Sequence, residues 1–585
     1  MRPTNSFAGS LLTDLYELTM AYGYWKNGKH EDKAVFDLFF RKNPFGGEFT
    51  IFAGLEEVLR SLHSFRFSDA EIRYLRGGIV LEKNELQSRF ETGLRDGLIR
   101  QTAHGFERLH LDRWGAEFWD PIEYPQDDLR VEAPLGNCEP SFFEWLKSVD
   151  CSELKVFALP EGTMAFPRIP LIRVEGPLAL AQMQETLFLN LTNFPSLMAT
   201  NAARFRLAVG PDKGLIEFGL RRAQGPDGGI SASRYAYMGG FNGTSNVKAA
   251  QLFAIPVKGT MAHSYVSSFL RLDEVRERLL TGPDGKEHDF LDIVLEYRRQ
   301  LGYDATNDGE LAAFISYAQA FSDGFLALVD TYDSMQSGLP NFICVALALI
   351  RIGYRPVGIR LDSGDLAYLS KEARRLFKEI ERRFSIDWFG STSILASNDI
   401  EEATLLSLRQ EGHEIDVFGI GTHLVTCRAQ PALGCVYKLV AINGRPRIKL
   451  SDQPDKMTIP GVKDVYRLVG EHQYPVLDLM TEAGQPEPKA GEKILCRHPF
   501  SETKRAYVTP VKVLPLLRCV WDGRQTFSFP PLDEIRDYVL DQIELMRPDH
   551  MRTVNPTPYK VSVSEDLYRS IHELWMREAP VAEIG

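Results

Sequence analysis

Arg360, Asp362, Ser363 and Asp365 crowd together in Val-Gly-Ile-Arg-Leu-Asp-Ser-Gly-Asp-Leu, residues 357–366, a short apolar run that stops in charge and a glycine turn. The run is too brief for a helix. Residues 365–384 then resume at helical spacing, with Leu369, Ala373, Leu376, Phe377, Ile380 and Phe384 on one stripe. Strand, loop and helix in that order place the polar residues at the carboxyl end of a strand, where parallel sheets gather their sites. Other short apolar runs end alike: 215–220 leads into Arg221 and Arg222, 325–329 into Asp330, Thr331, Tyr332 and Asp333, 393–396 into Ser397, Asn398 and Asp399, and 417–420 into Gly421, Thr422 and His423. Together with His263 these ends offer cations (Arg221, Arg222, Arg360), hydroxyls and glycine-loop amides (Ser363, Gly364, Gly421, Thr422) and carboxylates (Asp330, Asp333, Asp362). Cations and loop amides suit phosphate oxygens, and carboxylates can hold Mg²⁺ against a diphosphate. The set fits a small, multiply anionic substrate with a metal. Taken singly, each residue has a plainer reading: Arg360 as the ion-pair partner of Asp362 or Asp365, His263 as a hydrogen-bonding group of a barrel wall, Tyr16 as a core aromatic and Asp14 as a helix cap.

Repeated strand-then-helix units over 215–424 imply an α/β fold, and convergence of the polar strand ends on one rim favours a barrel over an open sheet. Before them the spacing predicts a helix over 11–25 capped by Thr13 and Asp14, a strand over 34–40, and helices over 54–64 and 70–76. Residues 85–150 are irregular and broken by Pro121, Pro125 and Pro134, which reads as an insertion or a cap rather than core. Strands are expected over 156–159 and 171–174, and a long helical tract over 178–208 interrupted near Pro195. The glycines at 225–229 read as a turn opening a helix over 230–238; 255–259 reads as a strand and Met261 onward as a helix. Beyond 441 come short strands, 447–450 and 464–468, and a helix over 532–546. The expected division is 1–155 and 441–585 as two parts of one flanking α/β domain, around a barrel spanning 156–440.

The 585 residues are too many for one core and allow roughly three to four domain-sized units. A net charge of −12 argues against a nucleic-acid surface, so positive charge for an anionic ligand must be local. The seven cysteines include no Cys-x-x-Cys pair, and the first residues lack a basic-then-apolar leader, so a cytoplasmic protein is expected. No run reads as a membrane span. Gly419-Ile-Gly-Thr-His-Leu lacks the third glycine and the ribose-binding acid of a dinucleotide fingerprint, which excludes NAD binding there, and there is no Walker A lysine.

The segments TDLYELTMAYGYW (13–25), EFGLRRAQGPDGG (217–229), YMGGFNGTSNV (237–247), VKGTMAHSYV (257–266), IRLDSGDL (359–366), VFGIGTHLVT (417–426) and NPTPYKVSVSEDLY (555–568) are weak singly and specific in this order. From end to end the chain resembles the nicotinate phosphoribosyltransferase family. The resemblance implies a type II phosphoribosyltransferase with an irregular (β/α) barrel, a second α/β domain built from both chain ends, and a homodimer with active sites between subunits. It implies that nicotinate attacks the anomeric carbon of phosphoribosyl diphosphate with Mg²⁺ or Mn²⁺, and that ATP, a co-substrate, is hydrolysed through a phosphohistidine. His263 is then the phosphorylated residue, and Tyr16, Thr260 and Arg360 contact nicotinate. Thr422, Gly421, Ser363, Gly364, Arg221 and Ser397 are expected at phosphoribosyl diphosphate, and Asp330 with Asn398 at the metal.

Physical chemistry agrees with those roles. A guanidinium can grip the nicotinate carboxylate bidentately, and a neutral imidazole is nucleophilic enough to accept phosphate. A nicotinamide-specific relative would carry an aspartate where this chain has Ser245, and an acid there would repel a carboxylate. A non-catalytic phosphometabolite-binding barrel would not need His263. An aldolase-type barrel would want a strand-end lysine, for which Lys258 is the candidate.

Overall fold

The strand that carries Arg360 begins on Gly358 because its neighbour's backbone leaves no room for a side chain. A Cβ there would stand 2.0 Å from the carbonyl oxygen of Ser393. A computed structural model describes residues 4–81, 83–102, 104–111, 117–123, 129–450 and 456–579. Its central sheet has six strands: β1 (Gly214–Glu217), β2 (Gly243–Thr244), β3 (Leu326–Leu328), β4 (Gly358–Leu361), β5 (Ser393–Ala396) and β6 (Val417–Ile420). All are parallel, in the order β2-β1-β6-β5-β4-β3. Among the described residues the ladder is open between β2 and β3, and residues 255–263 cross the gap. Val257 bridges Thr244 in parallel, and His263 Nδ1 lies 3.1 Å from Thr331 Oγ1 just past β3. The strand expected at 255–259 is therefore only that bridge, and the helix expected from Met261 is the single turn His263–Ser267.

Six helices matter for the site: α1 (Leu15–Lys26), α2 (Glu185–Val209), α3 (Gly225–Met238), α4 (Asp308–Ala320), α5 (Leu339–Ile352) and α6 (Leu366–Phe384). α6 starts where Asp365 accepts a hydrogen bond from the Tyr368 N–H at 3.0 Å, and it ends on Ser385 in the left-handed region. Phe377 and Ile380 on its stripe are buried, each gaining about 1.5–3 kcal/mol from leaving water. At α1, Asp14 occupies the cap position without capping, because its carboxylate instead accepts from Thr186 Oγ1 at 3.1 Å. Ser334–Ile352 is, by length and composition, apolar enough to cross a membrane, contrary to the sequence reading. It is 78% buried within the chain, against Phe290–Leu301 and α4, as core helices are.

The break expected near Pro195 falls at Met183 and Gln184 instead, and α2 runs through the proline. Pro195 cannot donate to the Leu191 carbonyl, and the chain at Gly54 packs onto that oxygen so closely that a Cβ would come within 1.9 Å. Ser196 and Thr200 stitch the same stretch to α2 by accepting from the Ala53 and Ile51 N–H groups at 3.0 and 2.8 Å. α3 begins at Gly225 rather than 230, because Pro226 suits a first helical turn, where its missing N–H costs nothing.

A second sheet joins the two ends of the chain. Its six antiparallel strands run in the order 445–446, 436–442, 33–39, 172–177, 155–158, 518–522. Strands 155–158 and 172–177, which the span 156–440 gave to the barrel, belong here. Residues 155–158 alternate between half-buried and buried, the mark of an antiparallel strand rather than the continuous apolar run of a buried parallel one. The strand expected at 447–450 lies instead at 445–446, paired with 441–442. A third sheet spans 463–563, and its first residue, Lys463, forms a buried 2.7 Å ion pair with Asp37 of the second sheet. The irregular region 85–150 holds a helix, Lys83–Arg95, and an antiparallel sheet of 99–102, 105–111 and 117–122, with Pro121 in an edge strand. Pro125 lies outside the described residues. Helix Pro140–Ser148 buries Phe142, Phe143 and Leu146 in the main core, so the end of this region is not an appendage.

Candidate active site

Parallel register sets the site. Leu328 pairs with Arg360 and Leu361 with Ala396, so the residues just past β3, β4 and β5 come level with one another. There Arg360 Nε donates to Ser397 Oγ at 2.6 Å, Arg360 Nη2 to Asp362 Oδ1 at 3.2 Å, and Ser397 Oγ to the same Asp362 oxygen at 2.7 Å. The Arg360 side chain is 14% exposed, and its Nη1 makes no hydrogen bond among the described residues. Asp330 Oδ2 accepts from the Asp362 N–H at 3.2 Å and from Ser363 Oγ at 2.6 Å, while its Oδ1 is buried without a hydrogen-bond partner. His263 closes the group: its Nδ1 meets Thr331 Oγ1, and its Nε2 lies 3.6 Å from Asp362 Oδ2 and 3.9 Å from Asp330 Oδ1. At 45% exposure the imidazole remains open to a ligand.

The next strand ends extend the rim. β6 runs into Gly421 and Thr422, beside the loop that leaves β1, where a Cβ on Gly219 would come 2.9 Å from the Gly421 carbonyl oxygen. Behind that loop Glu217 is buried and accepts from the Gly219 N–H, from Ser233 Oγ at 2.8 Å and from Thr244 Oγ1 at 2.5 Å. One carboxylate thus ties the ends of β1 and β2 to α3. Arg221, exposed on the following turn, makes no ion pair among the described residues.

The structure therefore brings Arg360, Ser363, Ser397, Asp330 and His263 into one hydrogen-bonded neighbourhood, with Gly364 in the same loop and Gly421 and Thr422 beside it. Asn398, Thr260 and Tyr16 make none of the hydrogen bonds of that neighbourhood. Asn398 is exposed and is not joined to Asp330, and no cluster of three metal-binding side chains occurs among the described residues, so Asp330 and Asn398 form no preformed metal pair. Thr260 is half-buried and bonds to its own loop, its Oγ1 donating to the Met261 carbonyl at 3.3 Å. Tyr16, 44% exposed on α1, bonds to Thr186, and burial first, then the Glu185 charge, pushes its hydroxyl up to about 12.

Phe218 escaped the sequence reading. Its ring lies 5.4 Å from the Arg360 guanidinium, and a Cβ on Gly419 would strike that ring at 2.4 Å. Gly419, one of the glycines that imitated a dinucleotide fingerprint, makes room for this aromatic floor. The available signal was Phe218 itself, an aromatic just past a strand whose neighbour carries glycine at the level of the ring.

Models of known families and proteins match this chain along its length. The nicotinate phosphoribosyltransferase N-terminal domain matches residues 11–102 and 122–193, the nicotinate phosphoribosyltransferase family matches 350–484, and its C-terminal domain matches 462–571. Nicotinate phosphoribosyltransferase 2 of Arabidopsis thaliana is 50% identical over 595 residues, covering 100% of this chain and 97% of that protein. The Homo sapiens nicotinate phosphoribosyltransferase is 41% identical, covering 98% of each. The crystal structure of human nicotinic acid phosphoribosyltransferase superposes with a TM-score of 0.78 at 40% identity, over 96% of this chain and 100% of that one.

Proposed function

Because the chain belongs to the nicotinate phosphoribosyltransferase family, we propose that it joins nicotinate to phosphoribosyl diphosphate, releasing diphosphate and nicotinate mononucleotide, the first step of NAD synthesis from nicotinate. The pyridine nitrogen forms the new bond to the anomeric carbon as the carbon–oxygen bond to diphosphate breaks. The observation that carries this reading is the open Nη1 edge of Arg360, held rigid by Ser397 and Asp362 in the same network as His263. A guanidinium fixed on one side presents its other side to a carboxylate in a set orientation. Ser245, half-buried in the loop after β2, leaves no acid to repel that carboxylate.

The donor set fits a hard divalent cation. Asp330 keeps a buried oxygen without a hydrogen bond, and with Asp362 it forms a negative pair that would otherwise repel diphosphate. Mg²⁺ is commonly held by one or two carboxylates together with substrate phosphates, and when bound it supplies positive charge where diphosphate departs. Asp330 and Asp362 are the residues we assign to it. Thr422, Gly421, Ser363, Gly364, Arg221 and Ser397 are assigned to the phosphates and ribose.

His263 is assigned the coupling of ATP. Its imidazole nitrogen bonds to the γ-phosphorus as the bond to the β-phosphate oxygen breaks, ADP leaves, and water later frees the histidine. Thr331 on Nδ1 leaves Nε2 as the nitrogen facing the site. The exposed Leu15 and Tyr16 on α1 support a homodimer in which α1 of a second copy completes the nicotinate pocket. Seven unpaired cysteines agree with a cytoplasmic setting.

One assay tests the reading: product formation from nicotinate and from nicotinamide with phosphoribosyl diphosphate, with and without ATP, alongside labelling by γ-labelled ATP. Turnover of nicotinate, raised by ATP and accompanied by an acid-labile label, is expected. Preference for nicotinamide would move the chain to the other substrate, and no turnover with either would make it a binding protein.

A further inference from the structure

Glu310 on α4 is fully buried, and nothing in the reaction above uses it. Its Oε2 accepts from Ser337 Oγ at 2.5 Å and from Asn341 Nδ2 at 3.0 Å, while its Oε1 is buried without a partner. Asn307 joins the same knot, its N–H donating to Ser337 Oγ at 3.0 Å and its carbonyl accepting from Asn341 Nδ2 at 3.1 Å. Ser337 belongs to a π turn, Ser334–Gly338, a rare form that recurs at functional sites. The turn hangs from Asp333, whose carboxylate accepts from the N–H groups of Met335 and Gln336 at 2.9 and 2.7 Å, and whose carbonyl accepts from those of Ser337 and Gly338 at 3.1 and 2.9 Å. Gly338 leans on the strand end so closely that a Cβ would stand 1.8 Å from the Val329 carbonyl oxygen. The short loop carrying Asp330 and Thr331 is thus held between β3 and this turn, and Thr331 reaches His263.

We propose that Glu310 is a positioning residue for His263: by fixing Ser337 and Asn341 it locks the π turn that sets Thr331 and Asp330 against the imidazole. The proposal rests on the reading of His263 as the phosphorylated residue. Burial, together with the charges of Asp330 and Asp333, pushes the Glu310 carboxyl up to about 7 despite its two hydrogen bonds. A neutral carboxyl still accepts from Ser337 and Asn341 while adding no third negative charge near Asp330 and Asp333.

Three variants of the full chain test it. Glu310→Ala removes the clamp, Glu310→Gln keeps an acceptor for Ser337 and Asn341, and Ser337→Ala cuts the link from the loop side should the first variant fold poorly. With γ-labelled ATP, transfer of label to His263 is expected to fall about 10- to 100-fold in Glu310→Ala and Ser337→Ala, at unchanged KM for nicotinate, and to return toward wild type in Glu310→Gln. Wild-type labelling in both alanine variants, or a rise in nicotinate KM in step with the lost label, overturns the proposal. Should wild-type protein itself take no label, the phosphohistidine reading fails and the inference falls with it. A labelled wild type with unaffected variants sinks the inference alone.

Discussion

Arg360 on β4 and Ser397 just past the neighbouring parallel strand β5 share one carboxylate: the guanidinium donates to the serine at 2.6 Å, and both donate to the same oxygen of Asp362. A triangle of three hydrogen bonds, each with an ionised donor or acceptor, fixes a long side chain that would otherwise sample many rotamers. The orientation of Arg360 is therefore built before substrate arrives.

Removing the guanidinium should strand the substrate carboxylate in a partly buried site. Arg360→Ala is expected to lower kcat/KM for nicotinate by about 2–5 kcal/mol of transition-state stabilisation. Arg360→Lys should recover little of this, because an ammonium cannot hold Ser397, Asp362 and a ligand in one plane. Steady-state kinetics on both variants decide it, and unchanged nicotinate kinetics in either would remove Arg360 from the pocket.

Ser397→Ala tests the preorganisation together with the phosphate and ribose contact assigned to Ser397. The cation and its main partner stay, and one hydrogen bond on each is lost, so a cost of about 1 kcal/mol in kcat/KM is expected. A double-mutant cycle with Asp362→Asn should give a coupling of about 0.5–3 kcal/mol. Strict additivity would mean that the triangle does not act as a unit.

The strand-loop-helix unit around Arg360 was legible because its signals agree: a short apolar run, a glycine turn, Asp365 at the cap and an apolar stripe on α6. The polar strand ends were legible for the same reason. What sequence withheld depends on contacts far along the chain. Pro195 stays helical because Gly54, from another part of the molecule, packs on the carbonyl that the proline leaves free. Strand 172–177 joins the second sheet by pairing with 33–39, and 155–158 by pairing with 172–177, which local pattern does not encode. Glu310 and the π turn are silent because a buried acid on an apolar helix reads as an exception rather than as a clamp.

His263 gives a sharper kinetic signature than loss of activity. If phosphorylation couples ATP to substrate affinity, ATP should raise kcat/KM in the wild type by about 5- to 150-fold, the range of a coupling energy of about 1–3 kcal/mol. In His263→Ala that stimulation should vanish while ATP-independent transfer persists. Thr331→Val, which removes the hydroxyl at Nδ1, should lose part of the stimulation. Full ATP stimulation in His263→Ala would place the coupling elsewhere.

Glu310 also makes stability depend on pH in a definite direction. Its carboxyl is raised from an ordinary 4.5 to about 7, first by burial. A group raised on folding contributes fully below its unfolded pKa, and that contribution is lost as pH rises through the folded value. Between about pH 4.5 and pH 7 the folded wild type should therefore lose on the order of 3 kcal/mol from this group as a buried charge develops. Glu310→Gln, which cannot ionise, should lack this loss. Its Tm relative to wild type should rise on going from about pH 5 to about pH 8, whatever its offset at the acid end. The two proteins compared in the same buffers cancel the titration of every other group. Parallel Tm curves across that range would show that Glu310 ionises no differently in the folded and unfolded chains, and that Asp330 and Asp333 exert no pressure on it.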